Sequence, residues 1–293
     1  MATATGTSQE RDEARPRSSA ARAPRITPGR VLLYAVLILL AIGFLLPLVV
    51  VLGASLKYSA EIGTDPGIIP SDPGLENYQA LFSRADFVRW YMNSAITATV
   101  GTAATLVLAS LSAYAFARID FPLKNLLFGI LITTLVLPSV MFLVPQFKLI
   151  GEMGLYDSIP AFILPGLAGV FGVFFMRQFF LGLPVELEEA AYVDGANRLR
   201  TFLSVVLPLT GPALATLAVI TFLAYWNDYL WPVVICQSNC TLPAGLRLLQ
   251  RQFTGDPGLV MAGAIVAAIP VLVVYLLLQR YVVQSVASAG IKG

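Results

Sequence analysis

The sequence predicts an all-α, polytopic membrane protein with six transmembrane helices. Of the 293 residues, 57% are hydrophobic and only 12% are charged, a composition outside the range of ordinary soluble domains. The charges are also spaced so that six charge-free runs remain, each long enough to cross about 30 Å of hydrocarbon as a helix. These runs are residues 31–56, 90–117, 125–147, 158–176, 201–227 and 257–279. Because of these apolar runs, membrane lipid is the expected surrounding. The net charge of +2 indicates no nucleic-acid partner.

The first apolar run follows a segment of different composition. Residues 1–30 are rich in Ala, Ser, Pro and Arg, which predicts a disordered tail and leaves residues 31–293 as the transmembrane domain. The first run is too long for a cleaved signal peptide, so we expect it to be retained as a span. The six arginines of the tail predict, by the positive-inside rule, that the tail is cytoplasmic.

Six spans return the C-terminus to the side of the N-terminus. In this orientation thirteen of the 19 Lys and Arg residues lie inside and six lie outside. An uncharged stretch, Tyr229–Leu246, is interrupted by Pro232 and Pro243 and is predicted to be an external loop. Its Cys236 and Cys240 could form a disulfide if the segment were helical, but two unpaired thiols are the favoured interpretation.

The loop between the fourth and fifth runs, about residues 184–204, concentrates charge in an otherwise charge-poor chain. Pro184 suits a first helical position and Gly195 suits a left-handed residue after the last turn, which predicts a short helix over Pro184–Asp194. Such a helix is marginal in water alone and must dock onto something. One helical arc collects Leu187, Ala190, Ala191 and Asp194, and the other collects Glu188, Glu189 and Tyr192. The alternative is a connector helix whose acids are merely solvated.

This stretch resembles the cytoplasmic EAA loop of permease subunits of binding-protein-dependent ABC importers. The family pattern is EAA, three residues, Gly, nine residues, then Ile-x-Leu-Pro. The sequence has Glu189-Ala190-Ala191, then Gly195, then Val205-Val206-Leu207-Pro208 at the same spacing, with Val205 as the one departure. The resemblance extends from about residue 31 to the C-terminus and implies the type I permease fold of these importers.

The resemblance implies that this loop is a coupling helix seated in a cleft of a cytoplasmic ATPase. Carried over by position, the ATPase-coupling residues are Glu189, Ala190, Ala191, Asp194, Gly195 and Pro208. The implied partners are an ATP-binding subunit dimer, a second permease subunit and an extracytoplasmic solute-binding protein at the bacterial inner membrane. No cofactor or metal is expected in this chain. None of its four lysines follows a glycine, so it lacks the Gly-Lys-Ser/Thr of a P-loop, and ATP with Mg²⁺ is expected on the partner.

The resemblance is closest to the maltose-type, sugar-importing branch, because of the stretches "EEAAYVDGA", "WNDYLWP" and "GLYD". It implies a mono- or oligosaccharide as substrate, with a polyol or glycerol-phosphate-type solute as the alternative. Asn227 and Asp228 follow the fifth run and are candidates for the substrate path. The neighbouring Trp226, Tyr229 and Trp231 are interpreted as an interfacial aromatic belt.

Two other classes of membrane protein compete with the importer permease. A secondary transporter usually needs ionisable groups near the midplane of the membrane, and none of the six runs contains Asp, Glu, Lys, Arg or His. An integral-membrane enzyme is disfavoured because the chain has no histidine, which removes Ser-His and HExxH chemistry. The sequence therefore predicts a non-catalytic translocation subunit.

Overall fold

The computed structural model describes residues 28–290 apart from residues 63, 66, 85 and 254. The predicted tail, except for its last three residues, therefore lies outside the described residues. The chain divides into two structural units, residues 1–48 and residues 49–293. The described residues contain helices and turns and no strand, which confirms the predicted all-α class.

Apolar runs and proline positions together set the helix boundaries. The α-helices of the described residues are α1 Pro28–Ser55, α2 Glu76–Arg84, α3 Phe87–Arg118, α4 Lys124–Thr133, α5 Leu143–Glu152, α6 Ile159–Ile163, α7 Val170–Leu181, α8 Glu186–Val193, α9 Arg198–Thr201, α10 Leu207–Leu209, α11 Gly211–Trp226, α12 Leu230–Ile235, α13 Leu242–Gln252 and α14 Pro257–Gly290. Short 3₁₀ segments occupy Thr134–Val136, Ser139–Phe142 and Leu164–Ala168, and a π-helical turn occupies Phe202–Val206.

Four continuous helical segments of the described chain are long and apolar enough to cross a membrane, and two bent pairs raise the number to six if each pair is one span. The continuous segments are Pro28–Ser55, Phe87–Arg118, Gly211–Ile235 and Pro257–Leu277. The bent pairs are Lys124–Val136 with Ser139–Glu152 and Ile159–Ala168 with Val170–Leu181. The six apolar runs thus correspond to four continuous and two broken spans.

Backbone that cannot continue a helix causes both breaks. The first pair bends by 101° where Leu137 and Pro138 are extended, with ψ of 128° at both residues. Pro138 has no N–H to donate and disfavours helix at the residue before it. The second pair bends by 46° at Gly169, whose ψ is 89°. Hydropathy alone could not have predicted either change of direction.

The prediction of one loop over residues 229–246 was wrong in part, because this stretch contains α12 and the beginning of α13. Its prolines do not interrupt these helices. Pro232 is the third residue of α12 and Pro243 the second residue of α13, and the first turn tolerates proline because its N–H groups have no intrahelical partners. The predicted fifth run also begins differently, since α9, the π turn and α10 precede α11.

The aromatic-belt interpretation was wrong for Trp226 and Trp231. Both indoles are buried, with 3% and 7% of their surface exposed. Trp226 Nε1 donates to the carbonyl of Ala267 at 3.1 Å, and Trp231 Nε1 donates to the carbonyl of Ala161 at 2.8 Å. Tyr229 is exposed and lies beside Arg247. The two tryptophans are therefore internal packing residues whose polar groups are satisfied within the protein.

Helix α3 lies at the centre of the second unit and packs most extensively against α7 and α11. A close approach to α11 occurs at Gly101, where an added Cβ would lie 2.8 Å from carbons of the Tyr225 ring. The ring is held in place, because its hydroxyl donates to the carbonyl of Ile163 at 3.1 Å and lies 3.3 Å from the hydroxyl of Thr105. Glycine is therefore required at this contact for steric reasons.

Gly101→Ala is expected to destabilise the protein by about 1–3 kcal/mol, because overpacking a held aromatic ring forces side chains or backbone to shift. The measurement is thermal unfolding in detergent. Gly129→Ala is the matched control, since no atom lies within 4 Å of a Cβ added to this helical glycine of α4, and alanine is the better helix former. A Gly101→Ala protein as stable as the Gly129→Ala protein would contradict this assignment.

Candidate functional site

The charged loop folds into the predicted short helix, α8, followed by a sharp turn. Helix α8 begins at Glu186, two residues later than predicted. Gly195 has φ of +83°, as the sequence predicted. Its N–H donates to the carbonyl of Tyr192 at 3.0 Å, and the N–H of Ala196 donates to the carbonyl of Ala191 at 2.9 Å. These two bonds form a Schellman motif, in which glycine adopts the left-handed conformation at little cost.

A second helical segment, α9, follows this turn. The side chain of Asn197 accepts a hydrogen bond from the backbone N–H of Arg200 at 2.8 Å and caps α9. The chain continues through the π turn and α10 into α11. Pro208 lies in α10, apart from the other five predicted coupling residues, which share α8 and its C-terminal turn.

Much of α8 and its turn is exposed. Glu189, Ala190, Asp194 and Gly195 are exposed and Ala191 is half-buried. Apolar side chains are exposed beside them: Leu187 at 42%, Tyr192 at 41% and Val193 at 87%. A short helix that presents small and apolar side chains in this way has the properties of a docking element.

Glu188 is the one buried residue of α8, whereas Glu189, which the helical wheel placed on the same arc, is exposed. One carboxylate oxygen lies 2.7 Å from Nε of Arg118 in an ion pair. The other accepts a hydrogen bond from the hydroxyl of Tyr114 at 2.9 Å. Arg118 also donates through Nη2 to the carbonyl of Leu183 at 2.7 Å. The partners lie about 70 residues earlier in the chain, so helical periodicity within α8 gave no signal for this burial.

A cavity of about 540 Å³ lies between α3, α11, α12 and the two broken spans. Its polar lining groups include Thr105, Ser139, Gln146, Thr221 and Asp228, and its aromatic lining residues are Phe162, Phe171, Tyr225 and Trp231. Ser139, Gln146, Pro165 and Gly169 also line a second cavity of about 880 Å³. The helix breaks therefore face open space, which is where non-helical backbone is tolerated within a membrane.

The two predicted substrate-path residues lie in different environments. Asp228 is half-buried and lines the 540 Å³ cavity. Asn227 ends α11, is exposed, and is not among the residues that line this cavity. The cavity brings Asp228 together with Gln146 and Thr105, which sequence reasoning did not single out because their runs read only as apolar.

The segment between α12 and α13 is closed by a disulfide between Cys236 and Cys240, whose Cα atoms are 5.1 Å apart. The favoured interpretation of two unpaired thiols was wrong, because the chain turns between α12 and α13 and brings the cysteines together without a helix. Helix α3 holds this turn through two residues. Asn93 Nδ2 donates to the carbonyl of Cys240 at 3.0 Å, and the hydroxyl of Ser94 accepts from the N–H of Leu242 at 2.7 Å.

Asp157 binds the same turn. Its carboxylate accepts from the backbone N–H groups of Gln237, Ser238 and Asn239 at 2.8 to 3.1 Å and from the hydroxyl of Ser238 at 2.7 Å. Burial alone would raise the pKa of Asp157, but the hydrogen bonds from the Ser238 hydroxyl and the three N–H groups outweigh it and lower the pKa. Asp157 adopts φ of +57°, which aspartate tolerates better than most residues.

Asp157→Asn is expected to destabilise the protein by about 1–2 kcal/mol at pH 7, because it removes a charged acceptor from several hydrogen bonds. A carboxyl group with a lowered folded-state pKa contributes stability above its unfolded pKa of about 3.9, and this contribution is lost as the pH falls through the folded value. The difference in unfolding temperature between the two proteins should therefore shrink below about pH 4. If the two unfolding temperatures differed by the same amount at pH 7 and at pH 3, this would contradict a stabilising role for the charge of Asp157.

Several known proteins are similar to this chain in sequence or in fold. Residues 105–288 match the family described as binding-protein-dependent transport system inner membrane component. The arabinooligosaccharides transport system permease protein AraQ of Halalkalibacterium halodurans is 33% identical over 268 residues, covering 87% of this chain and 96% of that protein. The trehalose transport system permease protein SugB of Mycobacterium tuberculosis is 33% identical over 267 residues, covering 89% and 97%.

A glycerol-phosphate permease and a solved transporter extend this similarity. The sn-glycerol-3-phosphate transport system permease protein UgpE of Yersinia pestis is 40% identical over 203 residues, covering 68% of this chain and 72% of that protein. A chain of a bacterial ABC transporter involved in import of the acidic polysaccharide alginate has the same fold, with a TM-score of 0.76 and 24% identity over 88% of this chain and 99% of that chain.

These similarities confirm the predicted class of protein. Subunits of this kind form the membrane passage and carry out no covalent chemistry, and ATP is hydrolysed by a separate subunit. The match over residues 105–288 includes α8 and the cavity-lining segments of α7, α11 and α12. The chain therefore belongs to the family of inner-membrane components of binding-protein-dependent transport systems.

Proposed function

We propose that this protein is the permease subunit of an ATP-driven importer for uncharged mono- or oligosaccharides, and that α8 couples it to the ATPase. The exposed α8, with Glu189-Ala190-Ala191 on its surface and Gly195 at its turn, carries this proposal. Ala190 is exposed and Ala191 half-buried, so a partner surface can approach the helix backbone closely. Glu189 supplies a charged contact, and Asp194 and Gly195 shape the end of the docking element.

The two ends of α3 support the orientation of the protein in the membrane. Asn93 and Ser94, near its first residue, hold the disulfide-closed turn, whereas Tyr114 and Arg118, near its last, hold α8. Asn93 and Arg118 are 25 residues apart on this helix, about 38 Å along its axis. This exceeds the roughly 30 Å of the hydrocarbon core, so the two sites lie on opposite sides of a bilayer. Disulfides persist in oxidising compartments. We therefore place α8, with both chain termini, in the cytoplasm and the disulfide turn outside.

The partners follow from this arrangement. An ATPase dimer binding ATP and Mg²⁺ docks on α8, and a second permease subunit completes the passage. A solute-binding protein delivers the substrate on the outer side. The solved bacterial alginate ABC transporter, a fold neighbour with a TM-score of 0.64, was crystallised with its alginate pentasaccharide-bound periplasmic protein. ATP-driven closure of the ATPases moves α8 and opens the cavity outward.

The cavity favours an uncharged carbohydrate as substrate. The exposed ring of Phe171 can pack against a sugar ring, and the half-buried Gln146 and Asp228 are suited to hydrogen bonds with hydroxyl groups. The volume of about 540 Å³ is in the range of small-molecule sites. No Lys or Arg is among the described residues that line this cavity, so a phosphate would find no cationic partner there. This favours a sugar over a glycerol-phosphate-type solute. The relatives named for arabinooligosaccharides and trehalose support the same choice.

Uptake in a strain that lacks the gene tests this function. Radiolabelled mono- and oligosaccharides, a polyol and glycerol 3-phosphate are supplied in turn, with and without ATP depletion. We expect ATP-dependent uptake of at least one uncharged sugar and none of glycerol 3-phosphate. Uptake of glycerol 3-phosphate alone would move the assignment to that solute class. Uptake that follows an ion gradient without ATP would instead indicate a secondary transporter.

A further inference from the structure

Helix α8 is held to the bundle by a charged residue. Glu188 is its one buried residue, with 4% of its surface exposed, and the helix of eight residues is too short to be stable alone. The Arg118 side chain that pairs with Glu188 is 10% exposed. Burying two charges is costly unless they are paired and hydrogen-bonded. Here the Tyr114 hydroxyl donates a hydrogen bond to Glu188, and the Leu183 carbonyl accepts one from Arg118.

The ion pair lies against tightly packed side chains. The ring of Tyr114 is 4.9 Å from that of Phe202 in the π turn and 6.0 Å from that of Phe180 in α7. Phe180 and Phe202 are 0% and 3% exposed. Arg118 and Glu188 thus join α8 to the same cluster that holds α3, α7 and the π turn together. Packed elements of this kind shift as units, because interiors are dense and little compressible.

We propose that Arg118 and Glu188 are positioning residues that make α8 and the inner end of α3 move as one body. The inference rests on the proposed function, in which the ATPase displaces α8. Thr105 lies on α3 thirteen residues before Arg118, about 20 Å along the helix, and lines the 540 Å³ cavity. The ion pair therefore forms the connection through which a displacement of α8 reaches the cavity wall. Glu189 contacts the ATPase, and Glu188 faces the permease.

The experiment uses the full complex of permeases, ATPase and binding protein, reconstituted in vesicles with an uncharged sugar that the importer takes up. In the Glu188→Gln complex, ATPase co-purification and ATP hydrolysis should stay within about twofold of those of the unaltered complex. Sugar uptake per ATP hydrolysed should fall at least about fivefold, which is the lower end of the range of allosteric coupling. The double variant Arg118→Glu with Glu188→Arg restores the opposite charges and is expected to recover part of the loss. Glu186→Gln, an exposed acid of the same helix, is the control and should leave uptake per ATP unchanged.

Two further measurements keep the inference testable if Glu188→Gln folds poorly. Tyr114→Phe removes one hydrogen bond to Glu188 and keeps the packed ring, so it should lower uptake per ATP without changing the unfolding temperature by more than a few degrees. Unchanged uptake per ATP in both Glu188→Gln and Tyr114→Phe would overturn the inference. If instead the unaltered complex takes up no sugar with ATP, or the ATPase does not bind at α8, the proposed function fails and not this connection alone.

Discussion

Glu189→Lys is expected to abolish ATP-dependent uptake while the protein still inserts and folds. Glu189 is exposed and forms no ion pair with another described residue, so the substitution leaves no buried charge unpaired within the chain. The new lysine presents a positive charge to the ATPase at the position where Glu189 presents a negative one. Losing one partner of an interfacial charge pair costs about 2–5 kcal/mol, so the affinity for the ATPase should fall at least about 30-fold.

Co-purification of the ATPase with the permease measures this loss, together with uptake of a sugar. Glu186→Lys is the matched control. It makes the same charge change in the first turn of α8 and carries the same unfavourable interaction with the helix dipole, worth about 0.3–1 kcal/mol. We expect the control protein to keep most of its ATPase binding. Normal uptake and ATPase binding in the Glu189→Lys protein would show that α8 is not the docking element.

Asp228→Ala is expected to lower uptake of an uncharged sugar by roughly tenfold to 100-fold. Hydrogen bonds to a charged group contribute about 1.5–3 kcal/mol, and each 1.4 kcal/mol corresponds to about a factor of ten. The carboxylate lines the cavity beside Tyr225 and Trp231, so a sugar hydroxyl in the cavity can donate to it. Because Asp228 is remote from α8 in the sequence and lies among residues of the passage, ATPase binding should not change.

The adjacent residue provides the control for this prediction. Asn227→Ala alters an exposed side chain that is not among the cavity-lining residues, and it should change uptake less than twofold. Initial rates over a range of sugar concentrations, measured in vesicles with the ATPase present, distinguish the two variants. Equal losses from Asn227→Ala and Asp228→Ala would indicate that the cavity is not the sugar path.

Sequence patterns predicted the existence of α8 and its end, because the end depends on a local residue. Gly195 adopts the left-handed conformation after the last turn at little cost. The start was predicted less well, since Pro184 lies two residues before the first residue of α8. The burial of Glu188 was not predicted, because it depends on Arg118, a partner distant in sequence. A helical wheel carries no information about such a partner. The coupling roles remain predictions, and the ATPase experiment tests them; the residues are Glu189, Ala190, Ala191, Asp194, Gly195 and Pro208.

The six apolar runs were predicted from hydropathy, but their shapes were not. Length and composition fix whether a run can span a membrane. The bends at Pro138 and Gly169 instead depend on the local backbone conformation, which hydropathy does not describe. The positions of Pro232 and Pro243 predicted a loop, but each lies in the first turn of a helix. The disulfide was missed because it joins a turn that only tertiary contacts, including those of Asp157 and Asn93, bring into place.

The tight contact at Gly101 lies almost midway along α3, which runs over Phe87–Arg118. If α3 tilts as a rigid rod about this contact, its two ends must move in opposite directions. With arms of about 24 Å on either side, a rotation of 5° carries each tip by about 2 Å in opposite senses. In such a tilt, a displacement of the end of α3 that holds α8 is accompanied by an opposite displacement of the end beside the Cys236–Cys240 turn.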